Sequence, residues 1–444
     1  MAKRKRRKQL SADPVTVQID DLAHDGRGVA HVDGKTVFLH GALPGETVTF
    51  QYSIQRRSHD EGVVQSIDVA SEQRVEPRCA HFGVCGGCAL QHMDPVAQIQ
   101  QKATRLFENM RRIGRVEPEC EFPPIQCEPW GYRRKARLSV RYVHKKERLL
   151  LGFRERNGRY VADISHCPVL HPQIGKHMAA LTQTLQSLAI RERIPQIECA
   201  VGDNRAAIVV RHLDPMRDQD ARKLQIFQQD TGLHVLLQPG GTDSVHALDG
   251  TASGLEYGLE GYALRFEFDP LGFVQVNAAI NKLLVRRALE LLEPGPEDHI
   301  LDLFCGLGNF SLPLARAGAR VTGVEGAADL VDLARRNAVR NEIDTAVFHR
   351  ADLSEVPLTG RWTRDQYDKI LLDPPRTGAH TSLPWLRQSG AGRVLYVSCD
   401  PATLARDSGV LVHELGFALR GCGVVDMFPH TAHVESIALF ELRR

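Results

Sequence analysis

From about residue 269 onward the chain alternates short apolar runs with amphipathic ones, and this pattern limits the fold more than any other feature. Residues 299–304 read as a strand, 309–317 as a helix, 320–325 as a strand and 327–341 as a helix. Further strands are predicted over 369–372 and 394–398. Such alternation builds a mostly parallel sheet with helices on both faces. Ligands of such sheets bind beyond the carboxyl ends of the strands, so the residues there decide what the chain can hold.

The first of these strands runs into Asp302-Leu-Phe-Cys-Gly-Leu-Gly-Asn309. Gly306 and Gly308 permit a tight turn and a close backbone approach to a ligand. A dinucleotide fingerprint would carry a third glycine where Ser311 stands, which counts against a pyrophosphate ligand. The second strand ends in Glu325, whose carboxylate can accept from both hydroxyls of a ribose. Asp352 follows the third and can accept from an adenine amine. Taken singly, either carboxylate reads as a surface residue or a helix cap. Their joint placement at successive strand ends favours S-adenosylmethionine. The fourth strand ends in Asp373-Pro-Pro-Arg376; enzymes that methylate exocyclic amines often carry an aromatic residue in place of Arg376.

The fifth strand ends in Val397-Ser-Cys-Asp-Pro401, which projects Cys399 into the same crevice. Cysteine is often a buried small hydrophobe, but the polar residues and proline that follow place this one at a strand end. A helix starting near Pro401 would bring its positive end close and favour a thiolate.

The rest of the 444 residues must form at least one more domain. Hydrophobic residues at 43% and charged residues at 25% exclude global disorder. No apolar run approaches the ~18 residues of a membrane span, and the first residues lack the apolar stretch of a secretory signal, so a cytoplasmic protein is expected. A net charge of +2 excludes a generally basic coat but allows a local basic face. Lys and Arg fill positions 3–8, a solvated tail or an arm for phosphates. Residues 13–69 hold several short strands with alternating polarity, which suggests a small closed β-barrel. Beyond residue 74 strands are predicted over 206–210 and 234–238, and Arg133, Arg134, Lys135, Arg137 and Arg141 suggest a sheet with one basic face.

Ten cysteines are too few for a disulfide scaffold, and clustered ones suggest metal or catalysis. Cys79, Cys85 and Cys88 form C-x5-C-x2-C, with Cys120, Cys127 and Cys167 as further candidates. The spacing suits zinc or a [4Fe–4S] cluster and does not decide between them.

Asp373-Pro-Pro-Arg-Thr-Gly378, Ser398-Cys-Asp-Pro401, His433-Val-Glu-Ser436 and Phe268-Asp-Pro-Leu-Gly-Phe-Val-Gln-Val-Asn277 together resemble the RNA uracil-C5 methyltransferase family. The N-terminal barrel resembles a TRAM domain. The likeness spans nearly the whole chain and is nearest to members that modify bacterial large-subunit ribosomal RNA. It implies a multidomain protein: a basic disordered tail over 1–12; a small OB-like β-barrel over 13–70; a central α+β iron–sulfur domain over 71–268; and a Rossmann-like methyltransferase domain over 269–444. Residues 93–125 are expected to pack with the last.

The chemistry needs an activated cysteine, because uracil C5 is too weak a nucleophile to take a methyl group directly. Addition of a thiolate at C6 makes C5 enolate-like, and a base must then remove the C5 proton. The resemblance assigns the nucleophile to Cys399 and the base to Glu435, and cofactor contacts to Gln275, Phe304, Asn309, Glu325, Asp352 and Asp373. Phe273 would stack on a flipped base. The resemblance also favours [4Fe–4S], held by Cys79, Cys85, Cys88 and Cys167 in a structural or RNA-docking role; Cys120, Cys127, Cys199, Cys305 and Cys422 are then inert packing residues. The expected partner is a single-stranded or looped segment of 23S ribosomal RNA. No membrane and no protein partner are expected, and the chain is expected to be a monomer. Alternatives are another ribosomal or transfer RNA uridine, an RNA-binding assembly module with a degenerate methyltransferase fold, and an amino-methyltransferase, which would leave Cys399 unexplained.

Overall fold

The computed structural model describes residues 13–156, 158–251, 254–355 and 358–443; the basic run at 3–8 lies outside them. The chain starts with β1 (Val15–Gln18), β2 (Asp21–Leu22), β3 (Gly28–Val32), β4 (Lys35–His40), β5 (Thr47–Gln55) and β6 (Asp60–Val69). They form one sheet in the order β1-β5-β6-β4-β3-β2. The sheet curls until Asp20 N–H, just past β1, donates to Val29 O of β3. Alternation explains the curl: Val37, Leu39, Val48 and Phe50 point inward and are fully buried with Ile19 and Ala30.

Next come α1 (Pro95–Asn109) and β7 (Cys120–Glu121). Asp94 caps α1, accepting from Val96 N–H and Ala97 N–H, and Pro95 occupies the first turn, where a missing N–H costs nothing. Leu106 and Met110 pack with Leu404 and Leu411 of the C-terminal part. The segment between barrel and central sheet therefore belongs to the core that lies farthest from it in sequence.

The central part contains β8 (Lys135–Val143), β9 (Arg148–Gly152), α2 (Pro172–Gly175), α3 (Met178–Ser187), β10 (Gln196–Val201), β11 (Ala206–Arg211), α4 (Asp218–Thr231), β12 (His234–Gln238) and β13 (His246–Ala247). Its sheet runs β13-β12-β11-β10-β8-β9. Leu138, Val140, Ile197 and Ile208 pack under Leu181 and Leu185 of α3 and Phe227 of α4. On the opposite face Arg137 and Arg141 are exposed, but Arg137 pairs with Glu198 at 2.7 Å, so the face is mixed in charge and not simply basic.

The iron–sulfur character expected of this part is corrected. Among the described residues, no group of three or more His, Cys, Asp or Glu is arranged to hold a metal ion. Cys79, Cys85, Cys88 and Cys167 do line one closed, mostly apolar cavity. Burial there pushes Cys85 up to about 11 and Cys88 up to about 12. Among the described residues the central part is an α+β unit.

A hairpin of β14 (Leu255–Leu259) and β15 (Leu264–Phe268) leads to the last unit. This contains α5 (Ala278–Leu292), β16 (His299–Leu303), α6 (Ser311–Arg316), β17 (Arg320–Glu325), α7 (Ala328–Arg340), β18 (Ala346–Arg350), β19 (Lys369–Leu372), α8 (Leu383–Leu386), β20 (Arg393–Ser398), α9 (Pro401–His413), β21 (Phe417–Val425) and β22 (Glu435–Leu442). The sheet order is β18-β17-β16-β19-β20-β22-β21-β7. The first five strands are mutually parallel, and β22 runs antiparallel to β20 and β21. Since β17 lies on one side of β16 and β19 on the other, a crevice opens at the carboxyl end of β16. No helix among the described residues is long and apolar enough to cross a membrane.

Candidate active site

The crevice is built by a strained turn. Phe304 leaves β16 with φ +66°, a left-handed conformation on the order of 1–3 kcal/mol unfavourable for such a residue. Its N–H donates to Val324 O at 2.9 Å, which fixes the turn against β17. Gly306 and Gly308, at φ +54° and +93°, complete the bend without a Cβ penalty. Ser311 donates to the buried Asp302 carboxylate, whose other oxygen has no partner; burial pushes Asp302 up to about 7. The serine in the third-glycine position thus has a structural role of its own.

Glu325 accepts from Gly306 N–H at 3.1 Å and from Ala327 N–H at 3.0 Å, so its carboxylate is locked at the end of β17. Asn309 accepts from Tyr257 O–H and from Asn281 Nδ2, and donates to Asn281 Oδ1, each at 2.9 Å. These residues line a cleft of about 520 Å³ together with Gln275, Phe304, Asp373, Cys399 and Glu435. Asp352 stands apart: it is exposed, and its carboxylate accepts from Ser354 N–H and O–H at 2.9 and 2.6 Å. Phe273 lines the cleft and is 66% exposed. The loop that carries it is held by Lys135, whose ammonium donates to Pro270 O and Gly272 O. Burial lowers Lys135 to about 8.

Register explains why Cys399 and Glu435 meet. Ser398 of β20 pairs with Ser436 of β22, and the strands are antiparallel, so the next residues beyond that pair face each other. Directly opposed residues hold their Cβ atoms about 5 Å apart. Asp373 emerges from the neighbouring β19, whose Leu372 pairs with Tyr396 of β20. Burial raises all three groups. Cys399 rises to about 11, with Glu435 and Asp373 adding to the effect and Arg376 opposing it. Asp373 rises to about 7. Glu435 is pushed well above the usual carboxylate range, and its Oε2 is buried without a partner.

The helix predicted near Pro401 is present as α9, but its effect on Cys399 is not the expected one. Asp400 caps α9, accepting from Ala402 N–H and Thr403 N–H at 2.9 and 3.1 Å, and so spends the positive helix end on its own carboxylate. Desolvation and two neighbouring carboxyl groups then keep Cys399 a thiol. Cys199, Cys305 and Cys422 are buried as expected, whereas Cys120 is exposed and donates to Arg420 O.

A second groove, of about 590 Å³, reaches the same cysteine from the barrel side and is lined by His24, Arg105, Arg133 and Arg376. Arg376, Cys399, Phe428 and His433 line both spaces. Arg376 donates to His433 Nδ1 at 3.1 Å, and burial with Arg376 lowers His433 to about 4, so the ring is neutral. Two molecules entering from opposite sides can meet at Cys399.

Residues 95–443 match the family model for tRNA (uracil-5-)-methyltransferases, and residues 13–51 match that for the TRAM domain. The chain belongs to the tRNA (uracil-5-)-methyltransferase family. The family's methyl donor, S-adenosylmethionine, fits the crevice: Glu325 holds a fixed carboxylate in it, Phe304 and Leu330 offer an apolar wall, and Asp373 lines it with Cys399 and Glu435. The chain is 50% identical over 442 residues to the 23S rRNA (uracil(1939)-C(5))-methyltransferase RlmD of Methylococcus capsulatus, covering 99% of this chain and 100% of the relative. It is 49% identical to the protein of the same name from Nitrosococcus oceani, covering both chains fully. The fold is shared with the tRNA (uracil-54, C5)-methyltransferase of Pyrococcus abyssi solved with S-adenosyl-L-homocysteine. That match has a TM-score of 0.73 and 24% identity, over 96% of this chain and 99% of the other.

Proposed function

We propose that this protein methylates C5 of a uridine in 23S ribosomal RNA, at the position numbered 1939 in the names of its relatives, with Cys399 as nucleophile and Glu435 as base. The observation that carries the reading is that strand register brings Cys399 and Glu435 together in the cleft, while the second groove reaches the same Cys399. S-adenosylmethionine supplies an electrophilic methyl group on its sulfonium. Gln275, Phe304, Asn309, Glu325 and Asp373 would hold it in the crevice, and Asp352, which does not line the cleft, would have to turn from Ser354 to reach the adenine.

The uridine enters from the arginine-lined groove, flipped out of its strand so that its ring can reach the thiol. Phe273, exposed on its Lys135-held loop, offers a stacking face. Cys399 gives its proton to water, from which the released thiolate regains one at the end of the cycle, and its sulfur bonds to C6. The electron pair moves to C5, which takes the methyl group. Glu435 then removes the C5 proton, the C5–C6 double bond re-forms and the C6–S bond breaks, returning the thiolate. TRAM-barrel and central-sheet surfaces flank the groove and would carry the neighbouring nucleotides of a single-stranded segment in a cytoplasmic monomer.

RNA bearing 5-fluorouridine at the target tests the sequence of steps. Fluorine cannot leave as a cation, so after methyl transfer the Cys399–RNA bond persists on a denaturing gel. Cys399→Ala should give no adduct yet still bind cofactor. An adduct formed by Cys399→Ala would refute the nucleophile assignment.

A further inference from the structure

The loop over 426–434 joins β21 to β22, brings Phe428 and His433 to the cleft wall and delivers Glu435 at its end. Three side chains of α1 grip this loop, and their spacing places them on one helix face. Gln98 accepts from His430 N–H at 2.9 Å and donates to His430 Nδ1 at 3.2 Å. Arg105 donates to Ala432 O at 3.2 Å. Between them Lys102 donates to the Asp426 carboxylate at 2.6 Å and to Phe428 O at 3.0 Å. The Lys102 and Asp426 side chains are 3% and 7% exposed, so the ion pair is buried.

A buried ion pair is poor support for stability, because apolar residues of similar volume often serve as well. Its hold on the loop that ends at Glu435, and the effect of Lys102 on that carboxyl group, suggest another use. A base must be a carboxylate when it accepts the C5 proton. Burial and Asp373 both oppose that charge on Glu435, and Lys102 is the cation whose field favours it. The other groups at this wall are Cys399 from the end of β20, Arg376 after β19, and His433 and Asp426 on the loop itself.

We propose that Lys102 is a positioning residue for proton removal: from α1 it anchors the loop that bears Glu435 and supplies the positive charge under which that carboxylate forms. The inference rests on the reading of Glu435 as base.

The test uses the full-length protein, S-adenosylmethionine and an RNA fragment with an ordinary target uridine. Lys102→Met with Asp426→Leu removes the pair without leaving one charge buried alone, so the fold is retained. Lys102→Arg keeps the charge. Glu435→Gln reports on the base reading itself and should stall as a covalent RNA adduct. In a single turnover the double variant should transfer methyl at close to the normal rate. It should release product about 10²-fold more slowly, within the range of a weakened general base. Its release should need a higher pH, since Lys102 acts on Glu435 and Asp426 is not among the groups that shift it, so removing the pair raises the proton affinity of the carboxylate. Lys102→Arg should restore most of the release rate. Normal release with an unchanged pH profile, while Glu435→Gln still stalls, would overturn the role of Lys102 and leave the base intact. An equal slowing of RNA binding, methyl transfer and release with no pH shift would make Lys102 a plain structural anchor, which also overturns it. No adduct from Glu435→Gln would defeat the base reading itself.

Discussion

At Cys399 the protein sets a nucleophile among groups that hold its proton on. Burial and the carboxyl groups of Glu435 and Asp373 push the thiol up to about 11, and Arg376 only partly offsets them. The sign of the consequence is clear. At neutral pH the free protein carries the thiol, and the thiolate fraction grows about tenfold per pH unit until pH approaches that value. Alkylation of Cys399 by iodoacetamide should therefore climb steadily from pH 7 to 10, without a plateau near pH 8. Glu435→Gln removes an ionisable group that raises the thiol and should shift the profile to lower pH over the range where Glu435 is ionised. A plateau near neutrality would mean that α9 outweighs the carboxyl groups.

At the scale of elements, α1 matters more than its place in the chain suggests. It lies before the central sheet yet packs on α9 and holds the loop over 426–434. Asp94→Ala would remove two N-cap bonds and should lower stability by about 1 kcal/mol in urea unfolding. An unchanged midpoint would mean that tertiary packing alone sets the start of the helix. Local pattern revealed much of the sheet: the strands at 320–325 and 369–372 lie where alternation and apolar runs put them, and β20 begins only one residue early. Glu325, Asp373 and Cys399 were legible for the same reason, since strand ends in such a sheet converge on one crevice. Lys102 was not, because its partner Asp426 lies 324 residues away and no periodicity announces a long-range ion pair. Asn309, expected as a cofactor contact, lines the cleft, but its clamping by Tyr257 and Asn281 was not legible. The cysteine spacing was misread as a metal centre because spacing brings thiols to one cavity without fixing the ligand arrangement that a metal ion needs. The third-glycine position is the converse case, where Ser311 turned out to support a buried carboxyl group.

For the whole molecule the question is how a chain of net charge +2 holds a polyanion. The answer lies in where the charge is placed. Barrel, cysteine loop, central sheet and methyltransferase unit all contribute walls to the groove that ends at Cys399, and Arg105, Arg133 and Arg376 line it. Arg105 is committed to carbonyls, donating to His24 O of the barrel and Ala432 O of the loop, so it joins walls together. Arg133 is freer: one N–H donates to Lys135 O, and the guanidinium lies 5.8 Å from the Phe153 ring, with its remaining donors available to the groove. If Arg133 meets a phosphate, binding releases counterions, and each such contact on a single strand contributes about −0.7 to the slope of log K against log salt. Arg133→Ala should then weaken RNA binding for every sequence alike and make that slope shallower by about 0.7. Cofactor affinity should not change, because Arg133 does not line the crevice. Binding titrations at several salt concentrations separate the possibilities. Weaker binding with an unchanged slope would mean that Arg133 acts through the packing of Phe153 and the cysteine loop. Unchanged affinity and slope would remove this groove from the path of the RNA.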